Sequence, residues 1–278
     1  MKSHFIRIFA SVNGKIVPAK KAVVSISNSS FLNGIGVFET MKAVDNQVLF
    51  LNLHLERFRQ NALKTGLKNP YSSTQLSQKI KKIVAKNHFP ETTIRMTLSR
   101  DGQGKPHLVI APRPYEPYPQ NLYTRGGKLV FIRSVLADTP TLSPIKTTSY
   151  LTKMLAREEA RKRGAVEGLL INEKGFVTEG ASSNIFIVKK GILYTPPLSD
   201  GLLSGTRRKV VLKIAKKLKI QVQEKSLKPE DILKADEVFI TSSLKDILPI
   251  QQIEGKRLKS PDPVTQRLRL QYFLLYKK

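Results

Sequence analysis

The 278-residue chain has no cysteine and only four histidines. Without cysteine there is no disulfide, no thiolate nucleophile and no cysteine-ligated metal, and four scattered histidines make a poor metal site. A run of about 18 apolar residues, the length a bilayer-spanning helix needs, is missing too. No secretory leader stands out, because Arg7 interrupts Phe5-Ile6-Arg7-Ile8-Phe9 and no small-residue cleavage site follows. With 40% hydrophobic and 25% charged residues the balance is that of a soluble globular protein, with the cytoplasm as the expected compartment and no membrane partner.

Acidic residues are also scarce: 21 against 48 basic ones leave a net charge of +27. Such a charge suits a protein that collects nucleic-acid phosphates. Placement argues otherwise. Lys79, Lys81, Lys82 and Lys86 interleave with Leu76, Ile80, Ile83 and Val84, and Lys209, Lys213, Lys216 and Lys217 with Val210, Val211, Ile214 and Leu218. Both segments read as amphipathic helices with solvated lysine faces, and no zinc-finger, RNP or polybasic-tail pattern accompanies them. The expected partner is a small anionic molecule, with no specific nucleic acid.

The length exceeds what one core usually serves, so two domains are expected. Residues 5 to 26 alternate apolar and polar around Asn13-Gly14, a hairpin signal, with Val23-Val24-Ser25-Ile26 as a further strand. A helix is predicted from Asn52 to about Thr65, stopped by Gly66, then strands at Thr93 to Ser99 and Leu108 to Ala111. Four prolines between Pro112 and Pro119 predict a stiff extended connector, placing the boundary between residues 1–118 and 119–278. Beyond it come a strand at Lys128 to Ser134, a helix at Ser149 to Arg163 and strands between Gly168 and Val188. A helix at Thr206 to Lys219, a strand at Glu237 to Thr241 and a helix from Val264 complete the reading.

Residues that could carry chemistry gather in short strings. Lys146 sits in Ser143-Pro144-Ile145-Lys146-Thr147-Thr148-Ser149-Tyr150-Leu151, and Glu179 in Val177-Thr178-Glu179-Gly180-Ala181-Ser182-Ser183-Asn184-Ile185-Phe186. Alone, one is a loop lysine and the other a strand-end acid. Together, a lysine that can condense with an aldehyde and an acid that can keep a ring nitrogen protonated are what pyridoxal phosphate chemistry needs. Gly205-Thr206, opening a helix, offers N–H groups to a phosphate, and Arg57 falls on the same helix face as His54. Gly34 and Gly36 make no dinucleotide motif, because no strand-to-helix Gly-x-Gly-x-x-Gly unit surrounds them.

With Leu202-Leu203-Ser204-Gly205-Thr206-Arg207-Arg208 and His54-Leu55-Glu56-Arg57 added, the chain resembles, from about Ser11 to Leu258, the class IV aminotransferases of fold type IV. That group holds branched-chain aminotransferase, D-amino-acid aminotransferase and aminodeoxychorismate lyase. The resemblance implies an α+β / α/β, two-domain fold, a smaller N-terminal α+β domain and a larger C-terminal β-rich domain with helices, with pyridoxal 5'-phosphate as cofactor. It implies Lys146 as the Schiff-base lysine, Tyr150 at the cofactor's phenolic oxygen, Glu179 on the pyridinium, and Arg57, Gly205, Thr206, Arg207, Ser242 and Ser243 around the phosphate. This chain reads Gly205-Thr206-Arg207-Arg208 where the family commonly reads Gly-Ile-Thr-Arg, so the hydroxyl has moved by one position. Ser149 likewise stands where Asn is common.

On the substrate side the resemblance points to Asn33 and Phe38, with Arg95 and Arg100 as candidates for substrate carboxylates. Asn33 and Ile35 stand where aminotransferases usually carry the Tyr and Asp of Tyr-Gly-Asp-Gly. A homodimer is implied, with the segment around Asn33 contributed to a neighbouring subunit. Gly34 to Thr40, Lys146 to Tyr150, and Thr241-Ser242-Ser243-Leu244 with Pro249-Ile250 look more like the lyases than the transaminases. The expected reaction is thus conversion of 4-amino-4-deoxychorismate to 4-aminobenzoate, a folate precursor, and pyruvate. The alternative is an aminotransferase for branched-chain or D-amino acids, with 2-oxoglutarate or pyruvate as co-substrate.

Overall fold

In the computed structural model, the alternation around Asn13-Gly14 closes a hairpin of β1 (Phe9–Val12) and β2 (Lys15–Pro18), with both turn residues at positive φ, 50° and 85°. The structure describes residues 8–135, 137, 144–258 and 263–276; residues 5–7 of the expected first strand, and Ser143, lie outside them. Next come α1 (Ser29–Asn33), β3 (Val37–Val44), β4 (Gln47–Val48), α2 (Leu51–Lys64), α3 (Ser73–Asn87), β5 (Glu91–Arg100) and β6 (Pro106–Pro114). Their strands order as β2-β1-β6-β5-β3-β4. In α3, Leu76, Ile80, Ile83 and Val84 fall on one face and are fully buried, each contributing about 2 kcal/mol. A capping box of Ser72 and Gln75 starts the helix. That face packs with Phe58, Met41, Ile94 and Met96 in one core.

Two expectations fail here. Val23 and Ile26 are exposed at 74% and 79%, and no described strand pairs with residues 23–26, so their apolar run forms no strand. The proline run is partly sheet: Pro112 and Pro114 lie within β6, opposite Ile94 and Thr92 of β5. Tyr115 N–H donates to the Glu91 carbonyl at 3.0 Å, so odd positions bond β5 and the even-numbered prolines face the side where β1, paired only up to Ile110, has ended.

Contacts divide the chain into two compact units, Met1–Pro117 with Ile145–Tyr150, and Tyr118–Pro144 with Leu151–Lys278. A single boundary after residue 118 assigns Lys146 to the second half. The structure returns its segment to the first unit, where it runs antiparallel to the start of β3.

The second unit contains α4 (Gln120–Thr124), β7 (Gly127–Ile132), α5 (Leu151–Lys162), β8 (Glu167–Ile171), β9 (Val177–Gly180), β10 (Asn184–Lys189) and β11 (Ile192–Thr195). They are followed by α6 (Thr206–Lys217), β12 (Val222–Glu224), α7 (Pro229–Leu233), β13 (Glu237–Ser242), β14 (Asp246–Ile253), β15 (Lys256–Arg257) and α8 (Pro263–Leu274). Strands order as β12-β11-β10-β13-β14-β7-β8-β9, with β15 on β14; β7 runs parallel to both its neighbours. Ile185 to Val188 and Val238 to Ile240 are continuous apolar runs buried on both faces, and Phe186 stacks on Phe239 at 5.0 Å in register. No strand is expected from the sequence over Asp246–Ile253, where the structure has β14; Pro249 fits within it because the β7 ladder begins only at Ile250, so the missing N–H breaks nothing there.

Candidate active site

In the first unit, Lys146 is placed by a neighbouring backbone. Phe38 N–H donates to its carbonyl at 2.9 Å, Thr148 N–H donates to Gly36 O at 2.9 Å, and the hydroxyls of Thr148 and Ser149 donate to Gly34 O at 2.6 and 3.2 Å. This close approach explains the paired glycines. A Cβ on Gly36 would sit 2.8 Å from Thr148 Oγ1, and one on Gly34, at φ +66°, would sit 2.4 Å from Ser149 Oγ. Ser149, standing in for the usual Asn, thus tethers the segment.

Lys146 Nζ lies 4.5 Å from the centroid of the Phe38 ring, and the Arg95 guanidinium lies 3.2 Å from the same centroid. Tyr150 meets Phe38 edge-on at 5.6 Å. Packing strips water from the Arg95 guanidinium and lowers its pKa to about 10, against the smaller opposing pull of Tyr150, so it remains charged at neutral pH. Arg100 is engaged elsewhere, donating to the Gly66 carbonyl at 2.8 Å just past α2. Asn33 is exposed at the end of α1.

Arg57 is buried and grips Glu39 with Nε and Nη2, both at 2.7 Å, while His54 Nδ1 lies 2.7 Å from Glu39 Oε2. Burial alone would raise the Glu39 carboxyl; the Arg57 guanidinium, with His54, outweighs it and holds the pKa at about 2. Glu56, next to Arg57 in sequence, pairs with Arg59. Glu39 is not among the residues the sequence singles out; the structure supplies it as the acid that His54 and Arg57 share.

In the second unit, Glu179 is buried at the end of β9 and accepts from Lys153 Nζ (2.6 Å), Leu203 N–H (3.2 Å) and Asn184 Nδ2 (3.5 Å). Gly205 N-caps α6 with no side-chain cap, and a Cβ there would fall 1.8 Å from Asn184 Oδ1. Arg207 is buried, its Nη2 donating to Ser243 O at 3.4 Å and its Nε lying 4.0 Å from Asp246 Oδ1. Tyr272 and Tyr276 of the C-terminal region donate to the same Asp246 oxygen.

A buried pair missed by sequence, Glu167 and Lys245 at 3.0 Å with Ser182 Oγ bonded to both, ties the turn after Glu179 to the start of β14. Burial opposes both charges, but each partner outweighs it for the other, lowering the carboxyl and raising the ammonium. No sequence signal separates Lys153 or Lys245 from the many other lysines.

The class IV amino-transferase family model matches residues 36–253. The chain belongs to that family. A Methanocaldococcus jannaschii protein with the provisional name branched-chain-amino-acid aminotransferase is 33% identical over 93% of each chain. The D-alanine aminotransferase of Staphylococcus epidermidis is 30% identical over 89% of this chain and 90% of its own. The crystal structure of branched-chain aminotransferase from Thermoproteus uzoniensis with norvaline matches with a TM-score of 0.89 at 32% identity, covering 96% of this chain and 94% of that one. The fold is therefore type IV, α+β in two domains, and the cofactor of this class IV aminotransferase is pyridoxal phosphate. These relatives bear aminotransferase names, so the lyase and folate expectation finds no support among them and the alternative reading is the better founded.

The residues present fit that cofactor. The uncapped start of the twelve-residue α6, where Gly205 leaves no room for a Cβ unless the buried Asn184 side chain moves, suits a phosphate. The buried Thr241 Oγ1, opposite Asn184 in the sheet and one residue before Ser242, has no hydrogen-bond partner among the described residues. Among those residues there is also no cluster of three metal-binding side chains, and no helix long and apolar enough to cross a membrane.

Proposed function

We propose that this enzyme transfers the amino group of a branched-chain or D-amino acid to a keto acid such as 2-oxoglutarate or pyruvate. The observation that carries the reading is the grouping of Lys146, Phe38 and Arg95: an amine and a guanidinium on one aromatic ring, matched to a substrate with a reacting amino carbon, an apolar body and a carboxylate. Bound pyridoxal phosphate supplies an aldehyde that holds amines and a ring that draws electrons from the carbon beside them. Lys146 Nζ is the amine that would hold it, and the same amine would move the proton at that carbon.

Glu179 holds the ring nitrogen, and Tyr150 the phenolic oxygen. Gly205 and Thr206, with Ser242 and Ser243, receive the phosphate; Arg57, its plane fixed by Glu39, is the guanidinium assigned to the same group. Arg207 serves by bracing the Ser243 turn rather than by replacing the lost hydroxyl. Arg95 recognises the acidic keto acid, and Arg100, occupied at Gly66, does not. Asn33 belongs to the subunit contact of a homodimer.

Turnover of leucine or D-alanine should require a keto-acid acceptor and stop after one half-reaction without it. Equal amounts of 4-aminobenzoate and pyruvate from 4-amino-4-deoxychorismate, with no acceptor present, would overturn the proposal in favour of the lyase.

A further inference from the structure

Glu179, with a side chain 6% exposed, already has donors on both oxygens. Leu203 N–H and Asn184 Nδ2 give Oε2 neutral hydrogen bonds from the loop before α6 and from β10. On Oε1 the donor is a cation: Lys153 Nζ, from the first turn of α5, at 2.6 Å and with a side chain 13% exposed. So short and shielded a pair is poorly screened by solvent or salt.

The proposed reading, on which this inference rests, gives the cofactor's ring nitrogen the same carboxylate. A carboxylate offers about four acceptor positions, so geometry leaves room for another donor. Charge does not. Lys153 and Glu179 together are already neutral, so a protonated ring nitrogen loses to the ammonium much of what it gains from the carboxylate. We propose that Lys153 is a positioning residue that competes with the cofactor's ring nitrogen for Glu179, leaving that nitrogen harder to protonate and the cofactor more loosely held than Glu179 alone would make them. Lys153 also keeps the acid oriented before the cofactor arrives.

The test titrates apoprotein with pyridoxal phosphate for its dissociation constant and reads the nitrogen-15 shift of ring-labelled cofactor for protonation. Lys153→Met keeps most of the length of the side chain and removes the charge. It should bind on the order of tenfold more tightly, the effect of one like charge removed at short range in a partly screened site, and move the shift toward the protonated ring. Lys153→Arg should restore both readings to wild-type values, which a merely structural role for the lysine stem would not predict. Glu179→Gln reports on the underlying reading, since it should move the shift toward the neutral nitrogen. If Glu179→Gln leaves the shift unmoved, Glu179 is not the ring partner and both readings fall. If that shift moves but Lys153→Met binds no more tightly and shows no gain in protonation, the competition alone is overturned. Should Lys153→Met not fold, Lys153→Gln carries the same comparison.

Discussion

Glu39 is fully buried yet stays ionised, because Arg57 and His54 complete its hydrogen bonding. Its folded pKa of about 2 lies below the ordinary 4.5, so the unfolded chain binds the proton more readily. The resulting stability is present above about pH 4.5 and is lost as pH falls toward 2, amounting to about 3 kcal/mol for the triad as a whole. Glu39→Gln should lower the urea midpoint at pH 7 and flatten its fall across that window, Glu167 supplying the remaining slope; unfolding curves at several pH values check both. At Arg95 the residue is exposed on its strand, while the guanidinium, packed on Phe38, has lost part of its water. Arg95→Met should raise the KM for an acidic keto acid about tenfold to a hundredfold, the worth of a charge-assisted contact, while kcat changes far less. Steady-state kinetics with 2-oxoglutarate and pyruvate side by side decide it, since loss of general packing would affect both acceptors alike.

Among the elements, the amphipathic helices were legible because a 3.6-residue period and a stop residue are local facts: α2 ends before Gly66, and α3 buries the four apolar residues its spacing singled out. Strands were legible where a turn was explicit, as at Asn13-Gly14, and illegible where pairing is non-local. Val23 to Ile26 has strand composition without a partner, and β14 has a partner on each side despite Pro249. The Gly34-Ile35-Gly36 string is the same kind of case, its meaning set by the 145–150 segment against it. Gly36, just before β3, is not among the positive-φ glycines, so Gly36→Ala puts no left-handed strain on its own backbone but drives a methyl to 2.8 Å from Thr148 Oγ1 and 3.1 Å from Ser30 Cβ. Borohydride reduction of the cofactor-loaded variant should label Lys146 far less completely than in wild type, with an unfolding midpoint shifted little. Peptide mapping of the reduced protein reads the first and a urea curve the second.

For the whole molecule, six exposed apolar residues, Val23, Val24, Ile26, Phe31, Leu32 and Ile35, crowd one short stretch of the first unit. Their density exceeds the scattered singles of an ordinary surface, and it is the basis for expecting a second copy of the chain to cover them. Sedimentation should give about twice 31.3 kDa, and Phe31→Ser with Leu32→Ser should shift the distribution toward monomer. An active wild-type monomer at all concentrations would remove the dimer. The sequence by itself determined the long helices, the family strings and the kind of chemistry, because periodicity, capping and reactive groups are properties of residues a few positions apart. Tertiary structure alone decided that Lys146 belongs with β3, that Arg57 is matched to Glu39, and that Glu179 meets Lys153. Each of these depends on segments distant in the chain whose polar groups must find partners once water has been excluded, and which partner each one finds is settled only when the chain has packed.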